Sequence, residues 1–316
     1  MSSAAGPPRP AATAGPVERP AGPPTPRFAT RAAAAAAQSA AAATRGGEEQ
    51  APHFTAPAAP ASPGLALVRE PSPRLAEGIV THLARTSVDV DRARRQHAGY
   101  RAALAAAGWS MVEVEPAADA PDGVFVEDTL VVCGGLAVVT RPGAPQRRAE
   151  TAGAERAARE AGLDVVRIEA PATLDGGDVL QVGELVYVGL GGRTDEAGVD
   201  QLRTHLEPRG RTVAPVRIKG VLHLKSAVTA LPDGTLLALP EHLDLAALPP
   251  VLPVEEESGS HVVALDADRV LIAASAPRTA ELIRELGFVP MVVDIGEYEK
   301  LEGCVTCLSV LVPRLP

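Results

Sequence analysis

The chain has 316 residues, 46% of them apolar, with a formal charge of −9 and three cysteines. That length supports one large domain or two ordinary ones around a sizeable core. The acidic balance argues against a nucleic-acid groove, no stretch is apolar and long enough to span a bilayer, and so few cysteines cannot form a disulfide framework, which fits a reduced, cytoplasmic protein.

Residues 1–63 are rich in Ala, Pro, Gly and Arg and nearly devoid of large apolar side chains. Ala favours helix, but "RAAAAAAQSAAAATR" has no larger apolar face to bury. Such a segment cannot offset its ordering entropy and reads as a disordered extension. The run follows Arg31 and is only weakly hydrophobic, so it does not read as a secretory leader. The patterned part of the chain is 64–316.

From Leu65 onward α/β units repeat. "FVEDTLVVCGGLAVVTR" reads as two strands around a Gly-Gly turn, followed by the helical "RRAETAGAERAAREAG" and the strand "LDVVRIEA". "LDGGDVLQVGELVYVGL", "GRTDEAGVDQLRTHLEP" and "TVAPVRI" repeat that order. A third unit opens with "HLKSAVTALPDGTLLAL", and a fourth runs from "SHVVALDADRVLIAAS" through "PRTAELIRELG" to "FVPMVVDI". The closing strand "CLSVLV" starts a fifth unit. Its second half stands at the other end of the chain, as "LALVREP", the helical "DVDRARRQHAGYRAALAAAG" and "WSMVEVEP". A repeat of this period suggests a radial array, and a unit split between the two ends predicts a closed ring.

The last segment, "LEGCVTCLSVLVPRLP", holds Cys304 and Cys307 in a C-x-x-C spacing. A metal half-site, a redox dithiol and a nucleophile with an incidental neighbour are the three readings. A zinc site needs further ligands, and no second C-x-x-C or H-x-x-x-H completes one. In a ring, equivalent positions of the units face one axis. Glu127 and Asp128, Asp175 and Asp178, His223 to Ser226, and Cys307 occupy similar places in their units, so a thiol, an imidazole and several carboxylates meet at the centre.

"DGVFVEDTLVV", "TRPGAPQRR", "LDGGDVL", "GRT", "HLKSAVTAL" and "TCLSVLV", in that order, resemble the dimethylarginine dimethylaminohydrolase family of guanidine-modifying enzymes. The resemblance covers roughly residues 65–316. It implies an α/β fold, the five-bladed pseudo-symmetric propeller called a pentein. It also implies a hydrolase that converts Nω-methylated L-arginine to L-citrulline and an alkylamine through a covalent thiouronium on cysteine. No metal or organic cofactor is implied, and the partner is a small molecule rather than nucleic acid or membrane, with the chain a monomer or homodimer. The alternatives are an arginine deiminase acting on free arginine and a non-catalytic pentein that binds a macromolecule.

By the same resemblance Cys307 is the nucleophile and His223 the acid/base. Asp128 and Asp175 are the carboxylates at the guanidinium, with Asp175 counted in the catalytic set. Asp122 and Glu127 stand nearer the substrate's amino end, and Arg147 and Arg193 hold its α-carboxylate. Leu75 is a mobile lid residue, and the backbone at Leu301 borders the site. Guanidinium and carboxylate groups pair through planar, bidentate hydrogen bonds, so an acid cluster with two arginines suits an arginine-like amino acid. If the C-x-x-C segment is extended, positions i and i+3 face opposite ways, which makes Cys304 a bystander. Gly176 and Gly177 are expected to allow a sharp backbone turn.

Overall fold

The computed structural model describes Met1 and residues 62–314. The expected extension over 1–63 therefore lies almost wholly outside the described residues. From residue 62 on, the described elements belong to one compact unit.

Five three-stranded sheets share one plan: an antiparallel pair followed by a strand parallel to the second. Unit one is β3 (Leu130–Cys133), β4 (Leu136–Val139) and β5 (Asp164–Arg167), and unit two is β6 (Val179–Val182), β7 (Leu185–Leu190) and β8 (Thr212–Arg217). Unit three is β9 (Val228–Ala230), β10 (Leu236–Ala238) and β11 (Val251–Pro253), and unit four is β12 (Val262–Ala264), β13 (Arg269–Ala273) and β14 (Val289–Val293). The fifth sheet joins the chain ends. β15 (Val310–Val312) pairs antiparallel with β1 (Leu65–Val68), Leu65 opposite Val312, and β1 runs parallel to β2 (Ser110–Glu113). The ring predicted from the split repeat is thus closed by hydrogen bonds between its two ends.

A parallel pair needs a crossover. It is supplied by α1 (Val90–Ala106) between β1 and β2, α2 (Thr151–Glu160) in unit one, α3 (Glu196–Leu206) in unit two and α4 (Pro277–Glu285) in unit four. Unit three departs from the plan, crossing through two 3-10 turns, Pro240–His242 and Leu245–Ala247. A short α5 (Gly296–Glu299) leads into the C-terminal turn. α1 starts on Asp89, whose side chain accepts the Arg92 N–H, the usual N-cap arrangement.

The first strands of the units line a common axis. Residues from β3, β6, β9, β12 and β15 together wall one cavity of about 230 Å³. In units one to four a 3-10 turn precedes the first strand: Val126–Thr129, Gly176–Asp178, Leu224–Ser226 and Glu257–Ser260. The turn around Cys307 holds the equivalent place before β15. This repeat places chemically unlike residues around one centre.

Apolar packing fixes those turns. Leu75, Tyr100, Trp109, Phe125, Tyr298, Val305 and Leu308 share one buried cluster with both terminal cysteines. The Tyr100 hydroxyl donates to the Val305 carbonyl at 2.8 Å, tying α1 to the cysteine turn. Fully buried Arg69 donates to the carbonyls of Glu115, Gly123 and Glu150, at 2.8–3.0 Å. Its hydrogen bonds offset the cost of burying a charge and set the loops that carry Asp122 and Arg147.

Candidate active site

A second, small cavity of about 20 Å³ lies among the axial turns, with Ile79, Asp122, Phe125, Asp128, Arg147, Arg193, His223, Leu301 and Cys307 in its lining. Seven expected site residues therefore meet there: Asp122, Asp128, Arg147, Arg193, His223, Leu301 and Cys307.

Cys307 does not stand in an extended strand. Residues 305–308 form a turn, with the Cys307 N–H on the Cys304 carbonyl at 3.1 Å. The two thiols consequently lie 3.2 Å apart, on the same side of the chain. The expectation that they face opposite ways was wrong because a turn does not alternate its side chains as a strand does. Cys304 beside it, burial, and the Glu127 and Asp128 carboxylates push the Cys307 thiol well above its usual range.

His223 is buried, and its Nε2 lies 3.0 Å from Asp175 Oδ2. Its Nδ1 is 3.7 Å from Asp128 Oδ1. Burial opposes an imidazolium, but Asp128, the Asp175 hydrogen bond and Asp178 outweigh it and raise the pKa to about 9. Asp128 is lowered to about 2: burial would raise it, and His223 and Arg147 override that. Asp128 also accepts the Gly177 N–H at 3.0 Å.

Asp175 is completely buried and does not line the cavity. It accepts the Gly143 N–H at 2.8 Å and holds His223. In this arrangement it stands behind the imidazole and holds it. Asp178 is also structural, joining the Thr194 hydroxyl at 2.6 Å to the Leu224 N–H at 2.9 Å. A Cβ on Gly177 would sit 2.6 Å from His223 Nδ1 and 2.7 Å from Asp128 Oδ1, and one on Gly176 would reach 2.0 Å from the Glu127 carbonyl. Close approach, not an unusual φ, requires both glycines.

The two arginines differ. Arg147 is spent: it pairs with Asp128, with Glu150 at 2.8 Å, and with the carbonyls of Asp122 and Phe125. Arg193 Nη1 is buried without a hydrogen-bond partner, 3.6 Å from Asp175 Oδ2. Such groups are rare and call for an explanation. Asp122 accepts the Ile79 N–H at 3.0 Å, and burial raises its pKa.

Two residues stand elsewhere than expected. Glu127 lines the axial cavity, not the small one, and there it pairs with Lys225 Nζ at 2.6 Å and accepts the Thr306 hydroxyl at 2.8 Å. Burial raises its pKa to about 7 despite Lys225. Adjacent residues on a tight turn diverge, so Glu127 and Asp128 face different cavities. Leu75 has no exposed surface and belongs to the core cluster. Ile79, four residues on, is the one at the cavity wall. Phe125, in edge-to-face contact with Tyr298 at 6.2 Å, also lines it. Neither residue was singled out in the sequence; the quoted "FVED" motif held the signal for Phe125, and nothing in the composition marked Ile79.

Oxygen or nitrogen atoms of Asp128, Asp175 and His223 come within 4.8 Å of one another, close enough for a metal ion. They are already engaged with Arg147, Gly177 and Gly143 and with each other.

A five-bladed α/β propeller with a thiol, a carboxylate-held imidazole and a buried arginine at its centre defines a guanidine-modifying pentein. The chain is 58% identical over 251 residues to the N(G),N(G)-dimethylarginine dimethylaminohydrolase of Streptomyces coelicolor, covering 79% of this chain and 97% of the relative. It superposes with a TM-score of 0.74 on the Pseudomonas aeruginosa enzyme, a cysteine-to-serine variant complexed with citrulline, at 32% identity over 80% of this chain and all of that one. The score is also 0.74 against a histidine-to-glycine variant of a dimethylarginine dimethylaminohydrolase in adduct with S-methyl-L-thiocitrulline, at 31% identity over 79% of this chain. No family model matches the sequence. The chain belongs to the dimethylarginine dimethylaminohydrolase family.

Proposed function

We propose that this chain hydrolyses Nω-methylated L-arginine to L-citrulline and an alkylamine, with Cys307 and His223 as its catalytic pair. The observation that carries the reading is Arg193, whose Nη1 is buried with no hydrogen-bond partner, only an ion pair with Asp175 at 3.6 Å, and whose side chain lines one cavity with Cys307, His223 and Asp128. A buried cationic N–H without a partner is costly and suits a carboxylate. Asp128 at the same cavity suits a guanidinium. A ligand with both groups is an arginine-like amino acid.

The chemistry follows from the charges. The cationic substrate offsets the carboxylates that hold the Cys307 proton, so the thiol gives that proton to solvent as substrate binds, and the thiolate attacks the guanidinium carbon, forming a C–S bond. His223, an imidazolium at neutral pH, protonates the alkylamine nitrogen as the C–N bond breaks. The neutral imidazole then takes a proton from water while the water oxygen attacks the thiouronium carbon. Collapse breaks the C–S bond and releases citrulline. Asp175 holds the ring throughout, and Arg147 sets Asp128. No helix among the described residues is long and apolar enough to cross a membrane. The three free cysteines support a cytoplasmic setting.

The test compares L-arginine with its Nω-monomethyl and Nω,Nω-dimethyl forms, reading citrulline and amine release and, after acid quench, the mass added at Cys307. Methylated forms should be favoured at least tenfold in kcat/KM. A preference for unmethylated arginine would replace this reading with a deiminase.

A further inference from the structure

Residues 78–89, between the 3-10 turn Leu75–Glu77 and α1, have no regular structure, and residues 81–87 are exposed. Ile79 belongs to the cavity wall. A cavity of about 20 Å³ holds roughly one water, not an amino acid, so some part of its wall must move for substrate to enter, and this exposed segment is the wall element without regular structure that carries Ile79.

Carboxylates restrain it at both ends: Asp122 accepts the Ile79 N–H at 3.0 Å, and Glu302 holds the residues that follow. Glu302 accepts three consecutive backbone N–H groups: Thr81 at 2.9 Å, His82, and Leu83 at 2.8 Å. Three successive amides converging on one anion form an anion nest, here filled from within the chain. Glu302 also adopts φ +60°, the one positive φ of a non-glycine among the described residues. That conformation is unfavourable for a side chain with a Cβ, and such outliers cluster at clamps and switch regions. The strain persists at a residue whose neighbours Leu301 and Gly303 line the same cavity, five positions before Cys307. The far end of the segment is tied to the same stretch: Glu297 accepts the Asp89 N–H at 2.9 Å and Lys300 donates to the Ser87 carbonyl at 3.1 Å.

We propose that Glu302 is the latch of residues 79–83, a positioning residue whose carboxylate holds Ile79 over the cavity and lets go to admit substrate and release product. The proposal rests on the functional reading above only for its kinetic arm. Glycine tolerates a positive φ, so Glu302→Gly removes the carboxylate while relieving the backbone, and the variant should melt within a few degrees of the parent.

Hydrogen exchange should then quicken at least tenfold at the amides of residues 81–83, and iodoacetamide should alkylate Cys307 several-fold faster. With Nω-methylarginine, KM should rise several-fold with kcat unchanged or higher; a purely structural defect would lower kcat. Glu302→Gln, which keeps one acceptor oxygen, should fall between. Unchanged exchange at 81–83 in a folded Glu302→Gly protein would overturn the latch. Exchange and alkylation need no substrate, so failure to turn over methylarginine would count against the functional reading and leave these two arms to decide the latch.

Discussion

The Cys304 and Cys307 sulfurs are 3.2 Å apart and both buried, so the pair titrates as a unit. Its first proton leaves readily and the second with difficulty, because two thiolates at that distance repel. Cys307→Ser should abolish turnover. Cys304→Ser should retain it and move the titration of Cys307 to lower pH, since the neighbouring sulfur is the leading cause of its upward shift. The rate of iodoacetamide labelling against pH reads this directly. Equal loss of turnover in both variants would instead favour a dithiol.

His223 couples stability to pH. Its folded pKa of about 9 lies above the ordinary 6.5, so its contribution is fully present below pH 6.5 and is lost as pH rises through 9. Asp128 works the other way: its folded value of about 2 lies below 3.8, so its contribution is present above pH 3.8 and lost as pH falls through 2. The pair should stabilise most between those windows, on the order of a few kcal/mol for a shift of this size. Urea midpoints should fall from pH 6.5 to 9 more steeply in the parent than in His223→Gln. Parallel slopes would show that the imidazolium is not held as described.

Leu75 and Ile79 should separate packing from gating. Leu75 has no exposed surface, and Leu75→Ala should cost about 2–5 kcal/mol of stability with little change in KM. Ile79→Ala, at the cavity wall on a segment without regular structure, should leave the melting temperature within a few degrees and raise KM. The reverse pattern would return the lid to Leu75.

The ring was legible because repetition survives in sequence. Strand–turn–strand wording recurs four times, and "CLSVLV" lacks a partner until the N-terminal strand supplies it. Cys307, His223 and Asp128 were legible for the same reason, each standing before the first strand of its unit. Legibility failed within single turns. Whether Asp175 touches substrate or stands behind His223 depends on one direction of a side chain, and Glu127 differs from Asp128 only by one step around a 3-10 turn. The direction of the Cys304 side chain was misjudged because the segment was treated as strand to its start, whereas β15 begins only at Val310. Unit three has no crossover helix among its described residues, and "LPEHLDLAALPP" shows why: its prolines break a helix.

The last prediction concerns the two arginines, alike in sequence and opposite in the structure. Arg147 is fully engaged with Asp128, Glu150 and two carbonyls. Arg147→Ala leaves Glu150 without its ion pair and Asp128 with only His223 and the Gly177 N–H; breaking a buried pair typically costs about 3–5 kcal/mol, so the variant should lose stability and affect every substrate alike. Arg193 lines the cavity, and its buried Nη1 makes no hydrogen bond, only a 3.6 Å ion pair with Asp175. A charge-assisted hydrogen bond contributes about 1.5–3 kcal/mol, so Arg193→Ala should lower kcat/KM for methylarginine roughly tenfold to a hundredfold. A methylated agmatine, which keeps the guanidinium and lacks the carboxylate, should lose far less. The ratio kcat/KM is the proper measure because it reports transition-state binding relative to free enzyme. Were Arg193→Ala to reduce both substrates equally, its contacts with Asp175 at 3.6 Å and the Thr81 hydroxyl at 3.5 Å would be its whole role, and the substrate's carboxylate would have to be read by some other group.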